Sequence, residues 1–198
     1  MATILIIDDG KGRLAPLTDL RAAFEVRTGA LTTLERVLAS VDATISGAVA
    51  PARVAPLVAE RLGGVPVNIP VQTLTEAIRG DDDPPGHSGP NDAVLVYNGR
   101  RVIPPPQIGD LEEGQSIVEE GTGDLVAAVL EPAAARQFVR TGALEAEPVL
   151  TLPAPALMTR PWHVRAFRDE AIALDLELLS DNPTQELPAG VTLIGDED

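Results

Sequence analysis

The sequence lacks cysteine altogether, and it contains a single lysine, Lys11. Without cysteine, disulfides and cysteine-zinc sites are excluded. The first residues show no basic segment followed by an apolar run, so no signal peptide is predicted. The apolar runs are also far shorter than the ~18 residues that a membrane-spanning helix needs. We therefore expect a cytoplasmic protein with no membrane partner.

Basic residues are scarce as well: 15 stand against 30 acidic ones, which gives a net charge of −15 at pH 7. Such a surface repels phosphate polymers, whose binding depends on clustered cations that release counterions. Nucleic acid is therefore not an expected partner. The length of 198 residues fits one domain of ordinary size, because a chain this long buries about two-thirds of the surface that its unfolded form exposes.

The first third of the chain alternates between strand and helix patterns. Residues 2–7 are apolar on both faces, which is typical of a buried parallel strand. Apolar residues recur at helical spacing from Thr32 onwards, with Thr32 or Thr33 as the candidate N-cap. Strands are also predicted at residues 44–49 and 65–69, with a helix between them at residues 52–62. This order predicts an α/β fold with a three-layer, mostly parallel, doubly wound sheet.

The rest of the chain is richer in turn signals. Residues 80–91 hold turn formers and acids and are predicted to form a loop. A turn at Asn98-Gly99 predicts a hairpin between strands 93–97 and 102–103. The further predicted elements are a hairpin of residues 116–119 and 125–130, a helix at 132–140, a proline-punctuated linker at 145–155, and an amphipathic helix at 161–179 with Trp162, Val164, Phe167, Ile172, Leu176 and Leu179 as candidate core residues.

The best candidate for a functional site is the loop GKGRLAPLT, residues 10–18, directly after the first strand. A glycine-rich turn there exposes backbone N–H groups at the carboxyl edge of a parallel sheet, where phosphates bind. It alone combines glycines with two cations, Lys11 and Arg13, in an acidic chain. A flexible turn with two solvated cations is the alternative interpretation.

Three other phosphate-site motifs were compared with this loop. A P-loop requires Ser or Thr after its lysine, but Gly12 follows Lys11. A dinucleotide fingerprint places Pro16 inside the helix turn that receives the pyrophosphate. A phosphoryl-accepting receiver domain requires a late-strand lysine, and the chain has no lysine besides Lys11. None of the three fits the loop well.

The loop does resemble the G-x-G-T-R-L-x-P-L-T signature of sugar-phosphate nucleotidyltransferases, with the threonine before the arginine absent. Residues 21–32 are similar to a run, R-P-V-A-E-L-R-V-G, of a bacterial subfamily of such proteins. The segments 97–100 and 160–164 resemble N-G-R and P-W-D-L segments of that subfamily. The resemblance implies a Rossmann-like fold of the nucleotide-diphospho-sugar transferase type.

The resemblance also implies a reaction: the oxygen of a sugar 1-phosphate attacks the α-phosphorus of a nucleoside triphosphate and expels pyrophosphate. The partners would be a nucleoside triphosphate and a sugar phosphate, and Mg²⁺ would be the cofactor. The implied site residues are Lys11 and Arg13 as catalytic groups on the phosphates; Gly10, Gly12, Arg21, Glu25 and Arg27 for nucleotide and phosphate binding; Asn98, Gly99 and Arg100 for the sugar; and Asp9 for the metal. An internal ion-pair network is the alternative interpretation of Arg21, Glu25 and Arg27.

Two departures from the signature bear on activity. The lysine that follows P-L-T in active relatives is missing, and the position of their metal-binding aspartate reads Asn98-Gly99-Arg100. These departures predict slow or absent turnover by the domain alone. A non-catalytic sugar-nucleotide-binding or regulatory domain of the same fold is therefore the second hypothesis. A wholly structural role is the third. The competing possibility to slow turnover is an active enzyme with a relocated site, in which Asp8 or Asp9 binds the metal and Arg21 or Arg27 replaces the lysine.

The domain organisation follows from the same resemblance. Residues 1–180 are predicted to form the nucleotidyltransferase-like domain. Residues 181–198 resemble the approach to a left-handed β-helix of hexapeptide repeats, which this chain does not contain. A longer chain would form a homo-oligomer through such a β-helix. The sugar and the base are left open by the sequence.

Overall fold

The computed structural model describes residues 2–41, 43–68 and 93–180. Six strands in these ranges form one mixed sheet with the order β2-β1-β3-β5-β4-β6. Only β5 runs antiparallel to its two neighbours. The other pairs are parallel. The strands are β1 (Ala2–Ile7), β2 (Ala43–Val49), β3 (Val94–Asn98), β4 (Gln115–Glu119), β5 (Leu125–Leu130) and β6 (Glu147–Leu152).

Five α-helices accompany the sheet within the described residues. The first begins at a capping box: the Thr32 hydroxyl accepts from the Glu35 N–H at 3.2 Å, and the Glu35 carboxylate accepts from the Thr32 N–H at 2.7 Å. Two short 3₁₀ helices lie at Ala23–Glu25 and Pro106–Asp110. The α-helices are α1 (Thr33–Val41), α2 (Ala55–Arg61), α3 (Pro132–Thr141), α4 (His163–Ala166) and α5 (Arg168–Ser180).

The core has one layer of side chains on each face of the sheet. Ile4 and Ile6 of β1 pack with residues of α1 and α2. Leu5 and Ile7 of the same strand pack on the opposite face with Ala135 of α3. Burial on both faces explains why β1 is a continuous apolar run. The predicted α/β fold with a mostly parallel, three-layer sheet is confirmed.

The predicted linker at residues 145–155 is wrong, because it contains the edge strand β6, parallel to β4. Its exposed Pro148 is compatible with an edge position, where one side of the strand needs no partner. The second half of the predicted hairpin, residues 102–103, is also wrong. Val102 and Ile103 are buried outside any strand, in a cluster with Leu14 and Met158. The antiparallel partner of β3 is β5.

The predicted single helix at residues 161–179 is divided at Phe167 into α4 and α5. Four of its candidate core residues are exposed, with Trp162 at 66% and Leu176 at 63%. The buried residues of α5 are Ala171 and Asp175. The apolar pattern misled because a buried ion pair, described below, occupies the inward face.

Smaller differences concern the other elements. The helix predicted at 52–62 begins at Ala55, after a turn. Of the strand predicted at 65–69, Val67 forms an isolated bridge with Ala48, and Ile69 lies outside the described residues. The predictions for residues 80–91 and 181–198 also lie outside them. No helix in the described ranges has the length and apolar character required to cross a membrane.

Candidate active site

Charged side chains from three strand ends meet at the carboxyl edge of the sheet. Asp8 and Asp9 follow β1, and Arg100 lies two residues beyond β3, whose last residue Asn98 pairs with Ile7. Because β5 is antiparallel, its start lies at the same edge, and Asp124 immediately precedes it. In open α/β sheets this edge is where ligands bind. The predicted loop of residues 10–18 begins at this edge, directly after β1 and Asp8-Asp9.

Arg100 lies at the centre of a four-residue ion cluster that also contains Asp9, Asp124 and Lys11. Its Nε and Nη2 atoms donate to the two Asp9 oxygens at 2.8 and 2.7 Å. The same Nη2 donates to Asp124 Oδ2 at 2.8 Å, and Lys11 Nζ donates to Asp124 Oδ1 at 2.6 Å. The Arg100 side chain is 1% exposed, whereas that of Lys11 is 60% exposed. The cluster thus has a buried centre and an accessible outer cation.

The contacts within the cluster favour the charged forms of Asp124 and Arg100. Burial opposes the charge of Asp124, but hydrogen bonds from Lys11 and Arg100 outweigh it and hold its pKa below the usual range. Burial likewise opposes the charge of Arg100, but its hydrogen bonds to Asp9 and Asp124 outweigh it and raise its pKa. Asp124 and Arg100 are therefore ionised at neutral pH.

Asp8 holds the two ends of the segment of residues 10–23 together. Its Oδ1 accepts from the Gly10 N–H at 3.0 Å, and its Oδ2 accepts from the Ala23 N–H at 2.8 Å. Burial raises the pKa of Asp8 despite these two hydrogen bonds. The contacts bring the segment before Ala23, which contains Arg21, back to the start of the loop at Gly10.

Both loop glycines meet a local requirement. Gly10 has φ +68°, a conformation that L side chains rarely adopt. A Cβ on Gly12 would lie 2.9 Å from Leu14 Cγ and 3.0 Å from Arg100 Cδ. The loop backbone therefore packs directly on the Arg100 side chain, and a larger residue at Gly12 would disturb the ion cluster.

Two cations of this region are exposed and free. Arg13 and Arg21 are both exposed, and neither guanidinium has a hydrogen bond or ion pair within the described ranges. The Arg13 backbone is held in place by its N–H, which donates to the Thr159 carbonyl at 3.1 Å. With Lys11, these residues form a set of accessible cations along the loop.

Glu25 and Arg27 make contacts within the fold. The Glu25 carboxylate accepts from the Ala22 N–H at 2.8 Å and from Arg61 Nη1 at 3.1 Å. Arg27 pairs with Glu35 at 3.5 Å on the surface. These contacts agree with the alternative interpretation of both residues as an ion-pair network. Their role in nucleotide binding stays a prediction.

Asn98, Gly99 and Arg100 lie beneath the edge. Asn98 is fully buried; its Nδ2 donates to the Leu125 carbonyl at 2.8 Å and to Asp9 Oδ2 at 3.1 Å. Its Oδ1 accepts from the Arg100 N–H at 3.0 Å. The Gly99 N–H donates to the Ile7 carbonyl at 2.6 Å. The polar atoms in these contacts serve the fold, and the sugar-binding role of the segment stays a prediction.

A cavity of about 300 Å³ opens beside Asp9 and Lys11. Its volume is at the lower end of the range for small-molecule sites. Most of its lining is apolar and comes from strand ends and from the C-terminal end of α3. The apolar lining residues are Ile7, Val49, Leu125, Phe138, Val139 and Leu144.

The donor set does not fit a magnesium ion held by the protein. Asp9 Oδ1 accepts from the Lys11 N–H at 3.1 Å and from Arg100, and Oδ2 accepts from Asn98 and Arg100. A carboxylate offers about four lone-pair positions, so these N–H donors use its capacity. The described ranges contain no group of three or more His, Cys, Asp or Glu residues arranged for a metal. The metal role of Asp9 stays a prediction.

Sequence reasoning missed Asp124. A signal for it exists in the predicted hairpin of residues 116–130, because an antiparallel strand starts at the edge where the parallel strands end. The position of that hairpin within the sheet was needed to use this signal.

The fold and the site can now be compared with known proteins. Residues 3–184 match the sequence model of a family described as sugar nucleotidyl transferase. The chain belongs to the sugar nucleotidyl transferase family. The matched range contains every site residue discussed above, and membership supports nucleotidyl transfer as the general function. A search of curated proteins finds no match.

Proposed function

We propose that this sugar nucleotidyl transferase family member transfers a nucleotidyl group from a nucleoside triphosphate to a sugar 1-phosphate. A phosphate oxygen of the sugar forms a bond to the α-phosphorus, the bond from that phosphorus to the β-phosphate oxygen breaks, and pyrophosphate leaves. The observation that carries the proposal is that Arg13 and Arg21 are exposed and have no partner among the described residues, on a segment whose ends, Gly10 and Ala23, are held by Asp8.

These cations suit the charge that develops in the reaction. Phosphoryl-group transfer is catalysed mainly by positioning and by neutralising charge on the phosphate oxygens. Arg13 and Arg21 can each present N–H groups of two nitrogens to a phosphate in a planar fork, whereas a lysine has only one nitrogen. Arg27 already pairs with Glu35. Arg21 is therefore the better candidate to replace the lysine missing after P-L-T.

The cavity beside Lys11 would hold an uncharged part of the nucleotide. Its lining is mostly apolar, with Phe138 as the aromatic side chain and Asp9 and Lys11 as the charged groups. A sugar with many hydroxyls would lose hydrogen bonds to water there, whereas a flat base would lose fewer. We assign the cavity to the base and the loop cations to the triphosphate.

Magnesium enters this proposal as a counter-ion that arrives on the nucleotide. Mg²⁺ commonly binds through substrate phosphates and keeps several of its waters. It reduces the charge repulsion between the triphosphate and this acidic chain. The roles proposed for the protein residues do not require a bound Mg²⁺.

Pyrophosphate release tests the proposal. The full chain is incubated with the common nucleoside triphosphates and a set of sugar 1-phosphates, each alone and in pairs, with Mg²⁺ present. We expect release that requires both substrates and that falls about tenfold or more in Arg21→Ala, since one lost electrostatic stabiliser costs about 10²–10³ in rate at the upper end. Arg168→Ala is the control, because this exposed arginine on α5 pairs with its neighbour Asp169. Release without sugar dependence, or equal rates in both variants, would contradict the proposal.

The second candidate is a domain that binds a nucleotide sugar without turnover. It is favoured by the engagement of Asp9, Asp124 and Arg100 with one another. In that case titration with nucleotide sugars shows binding that Arg13→Ala weakens, and no pair of substrates releases pyrophosphate.

A further inference from the structure

The Arg100 guanidinium occupies the space between two carboxylates that come from different strand ends. One nitrogen, Nη2, donates to both Asp9 at 2.7 Å and Asp124 at 2.8 Å. Asp9 precedes the loop of residues 10–18, and Asp124 precedes β5. A divalent metal ion in a protein is also bound between carboxylate oxygens. In this protein the cation between the two carboxylates is the side chain of Arg100.

The charge balance of the cluster leaves little attraction for a further cation. Two carboxylates, Asp9 and Asp124, face two cations, Arg100 and Lys11. The neighbouring carboxylate of Asp8 already accepts from the Gly10 and Ala23 N–H groups. The N–H donors of Lys11, Asn98 and Arg100 converge on Asp9. A metal ion would need to displace these donors, and it would then lie beside a buried guanidinium that repels it.

Arg100 cannot easily leave this position. Its Cδ packs against Gly12, so closely that a Cβ on Gly12 would lie 3.0 Å from it. Its Nη1 donates to the Met158 carbonyl at 3.4 Å. Its own backbone N–H is held by Asn98. Removing a guanidinium from two carboxylates would leave partly buried charges without partners, which is strongly unfavourable. The position and orientation of the Arg100 guanidinium are therefore fixed, unlike those of the exposed Lys11 ammonium.

We propose that Arg100 is a fixed internal cation that takes the place of a protein-bound divalent metal between Asp9 and Asp124. The claim concerns the nucleotide-free protein. The proposal rests on the proposed function only in taking a nucleoside triphosphate as the ligand that binds at this edge of the sheet. A divalent ion then reaches the site on the triphosphate, and Lys11 exchanges Asp124 for a phosphate oxygen while Arg100 keeps both carboxylates in position.

Mn²⁺ binding to the full, nucleotide-free chain tests this proposal, with free Mn²⁺ measured by electron paramagnetic resonance. We expect no binding to the wild type at millimolar Mn²⁺. Arg100→Met keeps much of the side-chain volume and exposes Asp9 and Asp124 to a metal, so it should gain a Mn²⁺ site. The gain should be lost in Arg100→Met/Asp9→Asn and in Arg100→Met/Asp124→Asn. Arg100→Lys is the matched control, because it keeps the charge and should bind no Mn²⁺.

Two results would overturn the proposal. The first is Mn²⁺ binding to the wild type that disappears in Asp9→Asn or Asp124→Asn. The second is an Arg100→Met variant that is folded by circular dichroism and binds no Mn²⁺. If Arg100→Met does not fold, Mn²⁺ binding is compared between the wild type and its Asp9→Asn and Asp124→Asn variants, and this comparison tests the proposal. Pyrophosphate release is a separate readout, so inactivity with the expected Mn²⁺ pattern rejects only the proposed function, and activity with Mn²⁺ bound through Asp9 rejects only this inference.

Discussion

Arg36 of α1 and Asp175 of α5 form an ion pair in which both side chains are 0% exposed. The Arg36 Nε and Nη2 atoms donate to the Asp175 oxygens at 2.7 and 2.9 Å. Arg36 also donates to the carbonyls of Leu31 and Val102, and Asp175 accepts from the Leu31 N–H. The pair thus connects two helices, the loop before α1 and the segment after β3.

Breaking this pair should destabilise the fold strongly. We expect Arg36→Met to lower the free energy of unfolding by about 3–5 kcal/mol, because Asp175 is left as a buried charge without its partner. The double variant Arg36→Met/Asp175→Leu should recover most of the loss, since it removes both charges. Denaturant unfolding measures both. A loss below about 1 kcal/mol for the single variant, the scale of an exposed ion pair, would contradict this prediction.

The same pair predicts the response of stability to acid. Burial alone would raise the pKa of Asp175. Hydrogen bonds from Arg36 and Leu31 outweigh this effect, so the pKa lies below its ordinary value of 3.8. A carboxyl group with a lowered native pKa stabilises the fold above its unfolded pKa, and this contribution is lost as the pH falls through the native pKa. The free energy of unfolding should therefore fall below about pH 4. The fall should be smaller in Arg36→Met/Asp175→Leu, and an equal fall in both proteins would reject this assignment.

The local features of the fold could be predicted from the sequence, whereas its long-range pairings could not. The apolar run of β1 is encoded by neighbouring residues and was predicted. The start of α1 was predicted only to the choice of Thr32 or Thr33 as its cap. Asp175 looks like a surface residue of an amphipathic helix, because its partner Arg36 is 139 residues away. Likewise β6 has Glu147 and Pro148, which are unusual in central strands and are tolerated only because β6 is an edge.

The candidate site divides in the same way. The loop of residues 10–13 was found because its glycines and cations are adjacent in sequence. The ion cluster was missed because Asp124 reaches Arg100 only through the position of β5 in the sheet. Arg13 and Arg21 could be named from the sequence, but only the structure shows that they are exposed and have no partner within the described ranges.

Asp8 should matter for the loop more than for the core. In Asp8→Ala the N–H groups of Gly10 and Ala23 lose their acceptor, which should cost about 1–3 kcal/mol of stability. Nucleoside triphosphate binding should also weaken, because Arg21 is no longer held near the start of the loop. Denaturant unfolding and calorimetric titration measure the two effects. Asp19→Ala is the control in the same region, since the Asp19 side chain has, within the described residues, only a 3.9 Å contact with Arg53 on the surface. Equal effects in both variants would contradict the role of Asp8.

Gly12 should not tolerate a side chain. In Gly12→Ala the new Cβ meets Leu14 and Arg100, and we expect a loss of about 1–3 kcal/mol in stability from overpacking, together with weaker triphosphate binding. Gly109→Ala is the matched control, because among the described residues no atom outside its own short helix lies within 4 Å of a Cβ at that position. Thermal unfolding compares the two variants. A Gly12→Ala variant as stable as Gly109→Ala would show that the loop does not pack on Arg100 as described.

The central claim is that the loop of residues 10–13 binds the triphosphate. Isothermal titration of the wild type and of Lys11→Ala/Arg13→Ala with nucleoside triphosphates and with pyrophosphate tests it most directly. The account predicts that the double variant stays folded and binds at least about tenfold more weakly, since each charge-assisted hydrogen bond contributes about 1.5–3 kcal/mol. Arg168→Ala should bind like the wild type. Unchanged affinity in the folded double variant would contradict the account.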